Sequence, residues 1–308
     1  MKQTASTPPL SDVLTDVTIR EGSQQAGDLR QVGVQTKLSL LELIVGIGVR
    51  RVELTAFAPG DWFSDADELV RGVLPWISEN ITLRALYFNA RGLEQMLKHS
   101  AIAREGIFHT AATPTYRLKN YSQQSPEHAL EKMAGLLEFF RKHGLQFNTL
   151  ALSTAWGDRE ETISENQTLA YLGQLLAAAQ KQGFPVQSLT LADTAGCAAP
   201  ESLESLIKKV KTTWPEVRVR VHLHPEPQKA EASIHACLEG GVQGWEAAWG
   251  GLGGSPFAAG AGGNLDIRWL VKVYRQRGLD PGFNLEEIHP TLRFLRQHAD
   301  RSIPDVPW

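Results

Sequence analysis

The chain has 308 residues, 42% hydrophobic and 21% charged, an ordinary globular composition with length for one large α/β barrel or two smaller domains. A net charge of −3 offers no basic surface for nucleic acid, and no apolar run approaches the roughly 20 residues that span a bilayer. The two cysteines, Cys197 and Cys237, are too few for a disulfide framework and read as small buried hydrophobes in a reducing cytosol.

The opening residues, Met1 to Pro9, lack the apolar core of a secretion signal, so residues 1–11 read as a disordered tail and 12–308 as the folded domain of a cytoplasmic protein. From there strand-like and helix-like stretches alternate. A strand over 13–20 precedes a helix over 35–46, then come 50–55 and 64–77, 82–88 and 91–101, 106–110 and 126–142. The pattern continues with 146–153 and 161–182, 187–192 and 200–213, 217–222 and 227–239, and 244–248 and 264–277. Ser125-Pro126 is a helix start signal, and Gly144, Gly183, Gly240 and Gly241 sit where helices should stop. Strict β-α alternation implies a parallel sheet with right-handed crossovers, and eight units in this length favour a closed (β/α)8 TIM barrel in one domain. An open doubly wound sheet is the alternative, but no Gly-x-Gly-x-x-Gly turn follows the first strand.

In such a barrel the reacting groups lie at the C-terminal strand ends. The most informative of these ends is His222-Leu223-His224. Residues two apart on an extended strand share a face, so both imidazoles project together, as half of a divalent-metal site or as a structural pair. Strand one ends in Arg20-Glu21-Gly22, strand two carries Glu53, and strand six ends in Asp193-Thr194-Ala195-Gly196. After strand eight a glycine-rich run leads from Gly250 to Gly263-Asn264 and reads as a flexible loop or a lid. Glu53 also fits as a plain partner of Arg20, Asn264 as the N-cap of the last helix, and Asp193 and Thr194 as turn caps. Trp245 and Trp249 fit either a pocket wall or core packing, and Tyr87, Asn89, His109 and Thr154 fall at other strand ends as candidate substrate contacts.

Taken together, Arg20-Glu21-Gly22, Glu53, His222-Leu223-His224 and the glycine loop resemble the metal-dependent lyase and acyltransferase superfamily that includes 3-hydroxy-3-methylglutaryl-CoA lyase, isopropylmalate synthase and homocitrate synthase. The resemblance runs from about Asp16 to Leu270, and Gly251-Leu252-Gly253-Gly254-Ser255-Pro256-Phe257 with Gly263-Asn264 resembles the lyase branch. It implies Glu21, His222, His224 and Asn264 as ligands of a divalent metal (Mn, Mg, Zn or Co), with Arg20 holding a substrate oxygen, Glu53 orienting Arg20 or a metal-bound water, and Ser255 at the position of a catalytic Cys. It also implies a small-molecule substrate, a hydroxy acid or its CoA thioester, no nucleic acid or membrane partner, and a homodimer.

Three departures stand out. Glu21 replaces the Asp usual in the lyase branch, as in homocitrate synthases; Pro225 follows His224 where lyases carry an acid; and Ser255 supplies a hydroxyl, which unassisted cannot shuttle protons near neutrality as a tuned thiol can. The expected function is carbon–carbon cleavage of the retro-Claisen or retro-aldol type. The alternatives are the same machinery condensing an acyl-CoA with a 2-oxo acid, and a barrel that has lost its chemistry and binds a metabolite or partner.

Overall fold

Eight short segments rich in Val, Leu and Ala alternate with amphipathic helices, and all but one adjacent pair of segments are joined in parallel. The computed structural model describes residues 7–25, 27–58, 60–254 and 262–308. The strands are β1 (Leu14–Asp16), β2 (Arg51–Phe57), β3 (Thr82–Tyr87), β4 (Gly106–Ala111), β5 (Phe147–Ser153), β6 (Ser188–Asp193), β7 (Arg218–Leu223) and β8 (Trp245–Ala247). Their order is β3-β2-β1-β8-β7-β6-β5-β4, all parallel, so the eight-stranded sheet curls into the expected TIM barrel.

The closure is incomplete in one place. β3 and β4 share no ladder; instead the Tyr87 hydroxyl donates to Glu105 O (2.8 Å) and accepts from the Ile107 amide (2.6 Å), while Ala103 N donates to Leu83 O. Tyr87, expected at the substrate, is therefore spent on the seam: its ring is buried in the core and its hydroxyl stands in for a main-chain rung.

Strand alternation decides what faces inward. On β7, Val219, Val221 and Leu223 are buried in the apolar core between sheet and helices, and the other face carries Arg220 and His222. The barrel interior is thus unusually polar. Arg220 reaches Thr15 on β1 (2.6 Å), and Arg84 on β3 pairs with Glu105 (2.9 Å) and approaches Glu246 on β8 (3.5 Å). Trp245 and Trp249 are core residues, 1% and 0% exposed, with the Trp245 indole donating to the Tyr274 hydroxyl.

Several boundaries differ from the sequence reading. The first strand is only three residues long, because Asp16 Oδ1 accepts from the Thr18 amide and the chain turns straight into the helix Thr18–Gln24. Residues 10 and 11 belong to the fold and not to a tail: the helical turn Leu10–Val13 buries Leu10 and Ser11, whose amides donate to Asp280 O and Pro281 O. The helices Pro114–Tyr121 and Ile288–His298 are additional to the eight βα units; the latter buries Ile288, Leu292 and Leu295 and packs on the helix Val34–Ile47. Ser125 does cap Pro126–His143 by accepting from His128 N, and Gly144 ends it at φ 65°. Cys237 is buried but Cys197 is exposed, in a turn held by the Cys197 and Ala198 amides on Asp193 and by the Cys197 thiol on Ala195 O. Among the described residues no helix is long and apolar enough to cross a membrane.

Asp16 gives a direct test of this packing. Its Oδ2 is buried without a partner, and burial pushes the carboxyl up to about 7 despite the Thr18 hydrogen bonds. A folded value above the unfolded ~3.9 means the neutral acid is favoured by folding; the stabilisation is complete below about pH 4 and lost as pH rises through about 7. In Asp16→Asn that loss is absent, so melting of the variant relative to wild type should climb by about 2 °C or more between pH 4.5 and pH 8. A difference that stays constant with pH would contradict the assignment.

Candidate active site

The polar interior reaches its C-terminal mouth in one connected cluster. Because the helix Thr18–Gln24 starts directly above β1, Arg20 and Glu21 hang over the barrel axis, both buried. Arg20 Nε donates to Glu53 Oε1 on β2 (2.5 Å), and its Nη1 pairs with Glu21 Oε1 (2.5 Å). Burial alone would lower the Arg20 pKa, but Glu21 and Glu53 raise it, fixing a permanent cation. Burial alone would raise Glu21; Arg20 and the two imidazoles outweigh it and hold the carboxyl at about 2. Glu53 is thus a buried partner of Arg20.

From β7, His222 and His224 turn their rings toward each other, with Nε2 atoms 3.1 Å apart, and Glu21 Oε1 lies 3.8 Å from His222 Nε2. Each ring is held from behind through Nδ1, His222 by Glu246 Oε2 (3.2 Å) and His224 by Gly263 O (3.3 Å). Such partners fix tautomer and orientation and leave Nε2 to face the shared point. Burial, reinforced by His222, brings His224 down to about 4, so that ring is neutral. Glu246 was not foreseen. Burial would raise its carboxyl, yet the hydrogen bond to His222 and the charge of Arg84 hold it far below the usual range. The signal was there: an acid between Trp245 and Ala247 on a strand whose neighbours face the core must point into the barrel.

Asn264 is not a helix cap; Asp266 fills that role for Ile267–Gln276 by accepting from Arg268 N. Asn264 Nδ2 donates to Leu252 O (2.6 Å), which leaves Oδ1 buried with no hydrogen-bond partner. Gly253, at φ 85°, makes the approach of Asn264 to Glu21 possible: a Cβ there would stand 2.4 Å from Glu21 Cβ and 2.6 Å from Asn264 Nδ2. The root of the glycine loop is further tied down by Gly253 N to Asp28 (2.6 Å), Gly254 N to Glu21 Oε2 (3.2 Å) and Gln25 Nε2 to Gly254 O (2.5 Å). Ser255 lies outside the described residues.

A divalent cation suits this donor set. Two imidazole nitrogens, a carboxylate and an amide oxygen with no other partner form a mixed N/O environment. Among the described residues, however, no three His, Cys, Asp or Glu side chains already stand as a metal cluster. The loose member is Glu21, whose oxygens are taken by Arg20, by Gln24 Nε2 (2.6 Å) and by Gly254 N.

The cluster forms one end of a cavity of about 450 Å³, within the size range that encloses a small-molecule ligand. Of the six expected substrate contacts, His109 and Thr194 line it. Asp193 caps its turn by accepting from the Cys197 and Ala198 amides, Asn89 caps the helix Ala90–Met96 through Gly92 N, and Thr154, at φ 48°, bonds Thr113. Each of these three has a structural partner. Beyond the cluster the lining is aromatic, with Trp62, Phe63, Phe88, Tyr116 and Tyr121.

A family model described as HMGL-like matches residues 13–295. The hydroxymethylglutaryl-CoA lyase of Bacillus subtilis is 24% identical over 294 residues, covering 94% of this chain and 95% of its own. An (R)-citramalyl-CoA lyase of Chloroflexus aurantiacus is 26% identical over 312 residues, covering 94% and 92%. Among solved structures, an HMG-CoA lyase from Acinetobacter baumannii in complex with coenzyme A and 3-methylmalate is similar at TM-score 0.82 and 25% identity, covering 97% of this chain and 95% of the other.

Proposed function

Because the chain belongs to the HMGL-like family, we propose that it is a metal-dependent carbon–carbon lyase that cleaves a 3-hydroxyacyl-CoA thioester into a ketone or oxo acid and a shorter acyl thioester. The observation that carries this reading is the convergence of the Glu53–Arg20–Glu21 ion triad and the His222–His224 pair on one end of the cavity. The similarity to two acyl-CoA lyases, and to a lyase seen with coenzyme A, supports the thioester.

In the reaction the C2–C3 bond breaks. The C3 hydroxyl gives up its proton and becomes a carbonyl, the bonding pair passes to C2 as the thioester enolate, and C2 takes up a proton. A divalent cation held by His222, His224, Glu21 and Asn264 would supply Lewis-acid polarisation of the substrate oxygens. Mn, Co and Zn match the imidazole donors better than Mg. Arg20 supplies a fixed positive charge for the oxygen on which negative charge develops. Its two carboxylate partners keep the guanidinium from swinging away and cost no reorganisation during the reaction. Glu246 and Gly263 hold the imidazoles in one orientation.

The test is incubation with Mn²⁺ and a panel of 3-hydroxyacyl-CoAs, followed by detection of the shortened thioester. Cleavage of at least one member is expected. Release of free thiol from acetyl-CoA plus a 2-oxo acid, without cleavage of any 3-hydroxyacyl-CoA, would assign the condensing direction instead, and silence in both panels with metal bound would leave a binding protein.

A further inference from the structure

The far wall of the cavity has a different chemistry from the charged end. Phe88 follows β3, His109 is on β4 and Tyr121 closes the helix Pro114–Tyr121, and their rings form one cluster. His109 and Phe88 meet edge to face at 5.5 Å, His109 and Tyr121 lie nearly parallel at 6.2 Å, and Phe88 stands 5.8 Å from Tyr121. Within this apolar wall His109 Nε2 is buried and has no hydrogen-bond partner. Burial pushes the imidazole down to about 3, so at neutral pH it offers one uncharged donor or acceptor.

Charge is also distributed to one side. Among the described residues lining the cavity, Arg20 is the only Lys or Arg, and it is already committed to Glu21 and Glu53. A free carboxylate placed against Phe88 and Tyr121 would therefore meet aromatic rings and no cation among the described residues, in exchange for part of its hydration. An aromatic ring placed there would find edge and face contacts with the existing cluster.

We propose that Phe88, His109 and Tyr121 form a subsite for an aromatic substituent on the hydroxyl-bearing carbon of the substrate, with His109 bonding a polar group on that ring. The assignment of which substrate atom faces Arg20 rests on the lyase reading; the subsite itself rests on the wall. The substrate class is then an aryl-bearing 3-hydroxyacyl thioester, in place of a compact one that ends in a second carboxylate.

Isothermal titration of the Mn²⁺-loaded protein with pyruvate, phenylpyruvate and 4-hydroxyphenylpyruvate separates the two readings. Phenylpyruvate should bind about ten- to a hundredfold tighter than pyruvate, the range expected for burying one aromatic side group. The 4-hydroxyl should add up to about tenfold. In His109→Phe the hydroxyl increment should vanish, and in Phe88→Ala the ratio of phenylpyruvate to pyruvate should fall. Phe88 is 36% exposed, so its truncation leaves the core intact even if the His109 variant fails to fold. Equal affinities for pyruvate and phenylpyruvate in wild type, or a phenyl preference untouched by Phe88→Ala, would overturn the subsite. Cleavage of a compact thioester with no aryl preference would sink the subsite alone, whereas an aryl preference in a protein that cleaves no thioester would sink the lyase reading alone.

Discussion

Replacing Arg20 with lysine is expected to lower kcat by about 10²–10³-fold, the cost of removing one preorganised donor at a developing oxyanion. The guanidinium has three jobs at once: Nε on Glu53, Nη1 on Glu21 and Gln24, and Nη2 left for the cavity. A lysine ammonium is a point charge on a flexible stem and cannot span two carboxylates while facing substrate. It does keep a cation beside both acids, so the fold is spared the burial of two unpaired carboxylates that Arg20→Met would cause. If Arg20 acts mainly as charge accumulates, kcat should fall while KM stays within a few fold. Steady-state kinetics on any thioester the wild type cleaves, alongside a melting curve, decides the matter. A variant with kcat within threefold of wild type would make Arg20 part of the scaffold.

The second large effect falls on metal binding. The double variant His222→Ala/His224→Ala should lose at least about a hundredfold in Mn²⁺ affinity, the upper end of what even an outer-shell partner contributes. Titration calorimetry on metal-stripped protein measures it without a substrate. The intermediate case is Glu246→Gln, which keeps the shape of the side chain but weakens its grip on His222 Nδ1; an affinity loss of about ten- to a hundredfold is expected. Equal metal affinity in wild type and the double variant would remove the two histidines from the site.

Much of this was legible in the amino-acid sequence, for identifiable reasons. The His-x-His pair could be placed because β7 alternates strictly, and a period of two admits one orientation per residue. Arg20, Glu21 and Glu53 were found because strand ends in a barrel converge, although the reading carried strand one to residue 20 where a helix had already begun. Alternation misses what depends on contacts between strands. Tyr87 could not be known to bridge two strands that fail to pair, and the capping bonds of Asn89 and Asp193 could not be told from ligand contacts because both use the same residue types. Glu246 was passed over because Trp245 beside it on the three-residue β8 and Trp249 just beyond the strand dominate that stretch.

The seam between β3 and β4 has a bearing on ligand range. Phe88 follows the strand on one side of it and His109 sits on the strand across it, so the two rings facing a bound group are not kept at a set spacing by a ladder of peptide hydrogen bonds. Spreading at that point has to disturb the phenol bridge, the Arg84–Glu105 ion pair and the contacts near Leu83, while across the barrel Arg20 and the paired imidazoles are tied down by Glu53, Glu21 and Glu246. A barrel opened along a single slit can thus keep its bond-breaking apparatus fixed and still adjust its width to the group it admits.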